Sequence, residues 1–220
     1  TMRSSAAKVV GDLQSHGYSI LRDLVDSDLL DRFERTMETL ATAQLATKGI
    51  TATASEPLID LLQIGGTYRG ALFNMFKHLR IVQEMSHQVA GHLDLLGFFD
   101  CLSQSVPMIW PSLRVDLPGE KTYLLPMHQD YASTKCHNAW RLWIPLREVK
   151  ADTGTMAIVS GSHKLGHLQH DTSDPNLPHV PKSRYEHLST KTLELKAGDG
   201  VLFDPLLLHT SVAGQGLRIK

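Results

Sequence analysis

His128 and Asp130 stand two residues apart in the β-prone segment 123–131. Side chains two apart on a strand point to the same face of the sheet. An imidazole nitrogen and a carboxylate oxygen on one face form part of a site for a divalent metal. Such a site needs a further ligand, so the fold has to bring a distant segment of the chain to this one.

His209 is the predicted third ligand. It lies 81 residues after His128, in the apolar segment 201–211. This separation leaves room for several antiparallel strands, so the two ends of the motif can meet across a barrel. Two histidines and one carboxylate that leave coordination positions open are typical of non-haem Fe(II) oxygenases. The sequence therefore predicts one Fe(II) ion per chain, held by His128, Asp130 and His209.

The chain has twelve histidines, so the choice of these two needs a reason. Five others share the segment 163–190, in which no predicted strand or helix would make them converge. A second metal site in that segment is therefore the weaker interpretation, and surface or hydrogen-bonded roles are favoured. These five are His163, His167, His170, His179 and His187.

A cation for an acidic co-substrate is predicted close to the end of the sequence. Arg218 follows His209 by nine residues, after a turn at 213–216 that returns the chain on a neighbouring strand. 2-Oxoglutarate chelates iron through its keto acid, and its far carboxylate suits the planar fork of an arginine. Ser211 shares a strand face with His209 and offers a second hydrogen bond. The structural alternative for Arg218 is a surface salt bridge.

The order of elements predicts an α+β fold. Residues 1–104 are mainly helix-prone, with helices at 8–17, from an N-cap at Asp26 onward and at 79–96, and a strand at 18–22. After residue 105, short β-prone segments alternate with Gly and Pro turns, which indicates a sandwich or barrel. The predicted strand segments are 108–117, 123–127, 139–146, 155–159, 192–195 and 201–203. We interpret 1–220 as one domain, with 163–190 as a long lid loop.

The motifs together resemble the phytanoyl-CoA dioxygenase family of Fe(II)/2-oxoglutarate oxygenases. The resemblance covers nearly the whole chain and ends on the series His209, Ser211 and Arg218. Its departures are Ser160, where the family usually has proline, and a short spacing from His209 to Arg218. The other segments that carry it are 14–30, 126–130, 143–146 and 152–163.

This resemblance implies a double-stranded β-helix, a cupin-like jelly-roll, over 105–220, with the helices of 1–104 packed outside it. It implies that His128, Asp130 and His209 bind iron, and that Arg218 and Ser211 bind the C5 carboxylate of 2-oxoglutarate. Trp143 would lie against the co-substrate, with core packing as the alternative. Asp130 argues against the related halogenases, which lack this carboxylate so that a halide can bind the metal.

The predicted activity is that of a dioxygenase that hydroxylates a small molecule and converts 2-oxoglutarate to succinate and CO2. It would use Fe(II), 2-oxoglutarate and O2, with ascorbate as the reductant in vitro. Desaturation, cyclisation or epimerisation stay open. The alternative is a cupin-like metalloprotein, an isomerase or a binding module, without 2-oxoglutarate chemistry. Candidate substrate contacts are Arg114, Lys121, Tyr131 and Arg141.

Composition bounds the partners. The formal net charge is −1, which gives no electrostatic case for nucleic acid or an anionic membrane. No apolar run reaches the length of a membrane span. Cys101 and Cys136 lack the spacing of a zinc motif and are interpreted as reduced thiols of a cytoplasmic protein. The sequence does not predict the substrate, the oligomeric state or whether the natural chain continues beyond residue 220.

Overall fold

The computed structural model describes residues 2–53, 56–64, 76–95, 97, 111–121, 124–175 and 177–220. Cys101 and the part of the predicted strand segment 108–117 that precedes residue 111 lie outside these residues. The described residues form five α-helices and eight β-strands. We number the helices α1 (Met2–His16), α2 (Ser27–Thr47), α3 (Pro57–Ile64), α4 (Arg80–Leu95) and α5 (Tyr131–Thr134).

The predicted helices are present, and their ends have local causes. Helix α1 ends at Gly17, whose φ of 81° lies in the left-handed region that favours glycine. The ring of His163 packs directly on this glycine, and a Cβ there would come within 2.5 Å of Nδ1. Asp26 precedes α2 in extended conformation, but its carboxylate binds the Gln88 amide on α4 instead of capping the helix. The packing of His163 on Gly17 joins the helical half to the segment 163–190.

The strands are arranged in three antiparallel sheets, with orders β1-β6-β3, β2-β8 and β5-β4-β7. Helices with antiparallel sheets confirm the α+β prediction. Strands β4 and β6 match predicted segments, whereas β5 begins two residues before the predicted segment 192–195 and ends on its first residue. Residues 124–127 contain no strand, although one was predicted there. The strands are β1 (Tyr18–Leu21), β2 (Val115–Asp116), β3 (Arg141–Trp143), β4 (Thr155–Val159), β5 (Thr190–Thr192), β6 (Gly200–Phe203), β7 (His209–Val212) and β8 (Arg218–Ile219).

A large apolar core joins the helices to the sheets. The buried face of α2 includes Phe33 and Met37, and the same cluster contains Val115 of β2 and Ile219 of β8. A second cluster lies between the sheets and includes Ile158 and Phe203. Among the described residues, no helix combines the length and apolarity needed to cross a membrane.

An ion-pair cluster adds a polar link between the helical half and the sheets. Arg147 donates from Nε and Nη2 to the carboxylate of Glu34 on α2, at 2.7 Å in each case. Its Nη1 donates to Glu56 beside α3 at 2.6 Å. These carboxylates raise the pKa of Arg147 still further, so the guanidinium stays charged.

The segment 163–190 is attached to the rest of the described fold at defined points. Val180 is buried, and its backbone N–H donates to the Met127 carbonyl at 2.8 Å. Asp171 and His179 form an isolated antiparallel bridge that closes a loop between them. Residues 172–175 within that loop are exposed. The lid function of 163–190 remains a prediction.

Candidate metal centre

His128 and His209 are direct neighbours across two antiparallel backbone segments. The N–H of His128 donates to the His209 carbonyl at 3.0 Å, and the N–H of His209 donates back at 3.1 Å. Residues that exchange both backbone hydrogen bonds project their side chains to the same face. The two imidazole rings accordingly lie 4.2 Å apart between centroids.

Asp130 completes a three-ligand cluster with these imidazoles. One carboxylate oxygen lies 3.7 Å from His128 Nε2, and the other lies 3.8 Å from His209 Nε2. One ligand atom from each residue can be chosen so that all three lie within 4.8 Å of one another. Such spacing suits a single ion placed between the three atoms, because metal–ligand distances are about 2 Å. The predicted ligands are therefore brought together.

Both imidazoles are held with Nε2 available for a metal. His128 Nδ1 lies 2.7 Å from the Pro126 carbonyl, and His209 Nδ1 lies 3.0 Å from the Leu207 carbonyl. A carbonyl only accepts, so each Nδ1 carries the proton and each Nε2 keeps its lone pair. A ligand histidine in a metal site commonly donates its other N–H in this way.

Burial keeps these imidazoles neutral. The pKa of His128 is lowered to about 4, chiefly by burial and also by the neighbouring His209, against the opposing effects of the Pro126 carbonyl and Asp130. Burial also lowers the pKa of His209, although Asp130 raises it. Neutral imidazole is the form that binds a metal, so no proton has to leave either ring near pH 7.

Gln129 lies between His128 and Asp130, and its side chain holds this motif in place from the opposite face of the segment. Its side chain is buried and donates to the carbonyls of Gly166 at 2.9 Å and Leu206 at 2.7 Å, and it accepts from the Leu168 N–H at 2.8 Å. Its backbone N–H donates to His170 Nε2 at 3.1 Å. Sequence reasoning missed this residue. Its position between two same-face ligands was the available signal, because it has to point the other way.

The predicted substrate residues lie at different depths around this centre. Arg141 pairs with Asp130, its Nε 3.0 Å from Oδ2, so it contacts a predicted metal ligand. The centroid of the Tyr131 ring lies 4.5 Å from the ring centroid of His137 and 5.1 Å from that of His167. Lys121 is exposed. Their roles toward a substrate remain predictions.

Four charged side chains share one face of the β2–β8 pair, and we call them the cationic quartet: Arg114, Asp116, Arg218 and Lys220. Asp116 pairs with Arg218 in the strand register, and Arg114 exchanges backbone hydrogen bonds with Lys220. The alternating residues Val115 and Ile219 point the other way, into the helical core. The quartet therefore points into the interior between the sheets.

Arg218 is buried and already well satisfied. Its Nε and Nη2 donate to Asp116 Oδ2 at 2.9 and 2.6 Å. Its Nη1 donates to the carbonyls of Thr155 at 2.6 Å and Val212 at 3.0 Å. Arg218 thus connects β8 to β2, β4 and β7. Its predicted role as the co-substrate anchor stays a prediction, and the surface salt bridge is excluded because only 3% of the side chain is exposed.

Lys220 lies beside Arg218 with a different environment. Its Nζ donates to Asp116 Oδ2 at 2.9 Å and stands 5.9 Å from the centre of the Trp143 ring. Burial lowers the pKa of Lys220 to about 8, helped by Arg218 and Arg114 and opposed by Asp116. The pKa of Asp116 is held far below its usual range, because the three cations outweigh the effect of burial.

Sequence reasoning missed Asp116 and Lys220, although a charged residue two positions from each arginine was a visible signal. Lys220 also helps to lower the pKa of His209, as Arg114 does for His128. The quartet therefore acts electrostatically on the predicted metal ligands. Ser211 is half-buried on β7, opposite Met156 of β4.

The remaining histidines give no second metal site among the residues that the structure describes, where His128, Asp130 and His209 form the only such cluster. His167 and His170 stack at 6.1 Å, and His163 contacts the Gln14 carbonyl. Their described contacts are therefore with rings and backbone.

Comparison with known proteins identifies relatives of the whole chain. The family model for phytanoyl-CoA dioxygenase (PhyH) matches residues 13–219. The peroxisomal phytanoyl-CoA dioxygenase of Mus musculus is 22% identical over 222 residues, which cover 90% of this chain and 61% of the mouse protein. The chain thus spans about three-fifths of the length of this relative.

Two solved structures share the fold. The epimerase SnoN in complex with Fe3+, alpha ketoglutarate and nogalamycin RO has a TM-score of 0.56 and 17% identity, and covers 98% of this chain and 82% of its own. EvdO2 from Micromonospora carbonacea var. aurantiaca, complexed with 2-oxoglutarate, has a TM-score of 0.57 and 15% identity. The match covers 96% of this chain and 86% of the EvdO2 chain. At these identities the likeness concerns the fold.

Proposed function

The chain belongs to the phytanoyl-CoA dioxygenase family, and we propose that it is an Fe(II)/2-oxoglutarate-dependent dioxygenase that oxidises a small molecule. The observation that carries this proposal is the cluster of His128, Asp130 and His209, with both Nε2 atoms free and close to the carboxylate. Two neutral imidazoles and one carboxylate leave open positions on iron for a chelating keto acid and O2.

The cationic quartet supports an anionic co-substrate. Its members carry three positive charges and one negative charge, Asp116 and Arg218 are buried, and only 9% of the Lys220 side chain is exposed. Even without Arg114, the two cations Arg218 and Lys220 share the single carboxylate of Asp116. A buried excess of positive charge is unfavourable until an anion compensates it. The far carboxylate of 2-oxoglutarate, bound to iron at its other end, is an anion of the required kind.

Each protein group has a defined task in this proposal. His128, Asp130 and His209 would hold Fe(II), which when bound supplies the redox chemistry that couples decarboxylation of 2-oxoglutarate to oxidation of the substrate. Arg141 orients the Asp130 carboxylate and balances its charge. Gln129 holds the motif against the backbone of the segment 163–190, and the rings of Tyr131 and His167 line the approach beside Asp130.

Hydroxylation is the proposed outcome, with succinate and CO2 as co-products and ascorbate as the reductant in vitro. The family relationship supports the oxygenase class, and hydroxylation is our choice within it. SnoN is named an epimerase, so the fold serves other outcomes as well. The competing hypothesis is a cupin-like metalloprotein, an isomerase or a binding module, that binds a metal and does not consume 2-oxoglutarate.

The arrangement of the sheets and the role of the segment 163–190 are likewise proposed. We propose that the sheets of residues 105–220 form a double-stranded β-helix in one domain, with the helices of residues 1–104 outside. We propose that 163–190 is a lid over the metal centre. The cytoplasmic location stays a prediction from the cysteine pattern; Cys136 is exposed and unpaired, and the mouse relative is named as peroxisomal.

The substrate surface is proposed from the residues around the metal. Arg114, Tyr131 and Arg141 border it, and Lys121 lies further out on the surface. Arg141 is shared with Asp130, so a substrate anion there would have to compete with the metal ligand. A small molecule with a carboxylate or phosphate group is therefore the first class to screen.

Succinate release tests the proposed function. The purified chain is incubated with Fe(II), ascorbate and 2-oxoglutarate, with and without a panel of carboxylate and phosphate metabolites. We expect succinate from the wild type, which one panel member increases, and none from His128→Ala. The matched control is His87→Ala, which replaces an exposed histidine on α4 and should keep activity. A wild-type protein that binds iron and releases no succinate with any panel member would support the metal-cupin hypothesis instead.

A further inference from the structure

A pocket of about 470 Å³ opens on the segment 163–190. Its lining comes from two stretches of the chain, residues 169–173 and the turn that contains Pro181 and Arg184. None of the predicted metal ligands belongs to this lining. The pocket is therefore a candidate ligand site separate from the metal centre.

Backbone hydrogen bonds hold both stretches in place. Asp171 donates its N–H to the His179 carbonyl at 2.7 Å, and the N–H of His179 donates back at 3.1 Å. Val180, the next residue, is buried. The N–H of Arg184 donates to the Pro181 carbonyl at 3.0 Å and closes a short 3-10 turn. The fold thus fixes the backbone that carries the lining side chains.

Asp171 and Arg184 bring opposite charges to this pocket. The Asp171 carboxylate accepts the N–H of Ser173 at 2.8 Å, and hydrogen bonds from Ser173 lower the pKa of Asp171, so the carboxylate is ionised near pH 7. The guanidinium of Arg184 is charged as well. Among the described residues, Asp171 and Arg184 form an ion pair neither with each other nor with another charged side chain. Both charges are therefore available to a ligand.

The remaining lining defines the kind of ligand. Gln169 and Thr172 add an exposed amide and an exposed hydroxyl, so the pocket offers mostly polar groups. A ligand with only a negative charge would be repelled by Asp171, and one with only a positive charge by Arg184. A molecule that carries both charges meets a partner for each, and a carboxylate suits the planar fork of an arginine.

We propose that this pocket binds a small zwitterion of the amino acid type, with its carboxylate on Arg184 and its ammonium group on Asp171. The bound molecule would lie next to the metal-binding motif, because His170 lines the pocket and its Nε2 accepts the backbone N–H of Gln129 at 3.1 Å. The site goes beyond the proposed function and does not depend on it, since no contact in it involves a metal.

Amino acids that differ in the spacing of their two charges test this site. The probes are glycine, β-alanine, 4-aminobutyrate and 6-aminohexanoate, each titrated into the iron-free wild type at millimolar concentration. Amide NMR shifts of residues 169–173 and 182–184 report the binding. We expect saturable shifts with at least one probe. The matched acid without the ammonium group, and the matched amine without the carboxylate, should each bind at least about fivefold more weakly, because each leaves one charge unpaired.

Three variants, each checked for folding by circular dichroism, assign the contacts. Arg184→Gln should weaken the best probe at least about fivefold. Asp171→Asn should do the same, while its amide oxygen can still accept the Ser173 N–H. Lys182→Gln is the control, since it removes an exposed cation of the same turn that does not line the pocket, and it should change the affinity less than about twofold.

Three results would overturn the proposal. The first is a wild-type protein in which no probe shifts these amides. The second is a matched acid that binds as well as its amino acid. The third is a Lys182→Gln protein that loses as much affinity as Arg184→Gln, which would indicate attraction to the general surface charge. Because no iron is present, these results leave the proposed function unaffected.

Discussion

His128 and His209 exchange both of their backbone hydrogen bonds, although 81 residues separate them in the chain. The distance between the two imidazoles is therefore set by the register of the pairing. A slip of one residue would turn one imidazole to the opposite face and destroy the cluster with Asp130. The metal centre is thus a direct product of the antiparallel pairing.

The first prediction concerns Gln129, which holds this register from behind. Gln129→Leu removes the three hydrogen bonds of this side chain and leaves two carbonyls and one N–H without that partner, so it should lower the free energy of unfolding by about 3 kcal/mol. Urea unfolding monitored by circular dichroism measures the change.

The matched control for that substitution is Gln169→Leu, which replaces an exposed glutamine in the attached segment. Its free energy of unfolding should stay within about 0.5 kcal/mol of the wild type. Equal stability of the two variants would show that Gln129 does not fix the motif.

The second prediction is a pH dependence of co-substrate affinity. Burial lowers the pKa of Lys220 to about 8 in the empty protein, and a bound carboxylate would raise it. The protonated ammonium adds to the positive charge that the cationic quartet presents to an anion, so affinity for 2-oxoglutarate should be constant below about pH 7 and fall as the pH rises through 8. The other charged groups facing Lys220 are Asp116, Arg114 and Arg218, with His209 nearby.

Calorimetric titrations of the Fe(II)-loaded protein from pH 6.5 to 9.5 would show this decline. In Lys220→Arg the decline should disappear, because a guanidinium does not titrate in this range. An identical decline in both proteins would assign the titration to another group.

The third prediction concerns the segment 163–190. In the empty protein the amide of Val180 should exchange slowly, because it is buried and bonded to Met127. The amides of 172–174 should exchange fast, since these residues are exposed. If the segment is a lid, hydrogen exchange in 172–174 should slow when Fe(II), 2-oxoglutarate and substrate are bound. Unchanged exchange there with all three bound would contradict the lid.

The sequence predicted the metal ligands because their geometry follows from strand periodicity and from a chemically restrictive set of residue types. His128 and Asp130 are two residues apart, and His209 was the distant histidine in a β-prone segment with informative neighbours. The α+β class followed from the order of helix-prone and strand-prone segments. The strand Thr155–Val159 was predicted at its exact bounds because Gly154 and Gly161 flank a fully buried apolar run.

The surroundings of these ligands could not be predicted, because they depend on tertiary pairing. Nothing local in the sequence shows that Asp116 lies opposite Arg218, since strands this short have almost no pattern of their own. The same holds for Arg141, whose partner Asp130 lies on another segment, and for Gln129, whose three partners come from two distant loops. The strand Thr190–Thr192 was placed too late because all three of its residues are exposed.

The most direct test is the visible charge-transfer absorption that arises when 2-oxoglutarate chelates Fe(II) at an open-sided iron site. The O2-free chain is loaded with one equivalent of Fe(II) and titrated with 2-oxoglutarate. We predict a band that saturates at one 2-oxoglutarate per chain in the wild type and in His87→Ala, and that is absent in His128→Ala and His209→Ala. A wild-type protein that binds Fe(II) without developing the band, or a His209→Ala protein that develops it fully, would contradict the account.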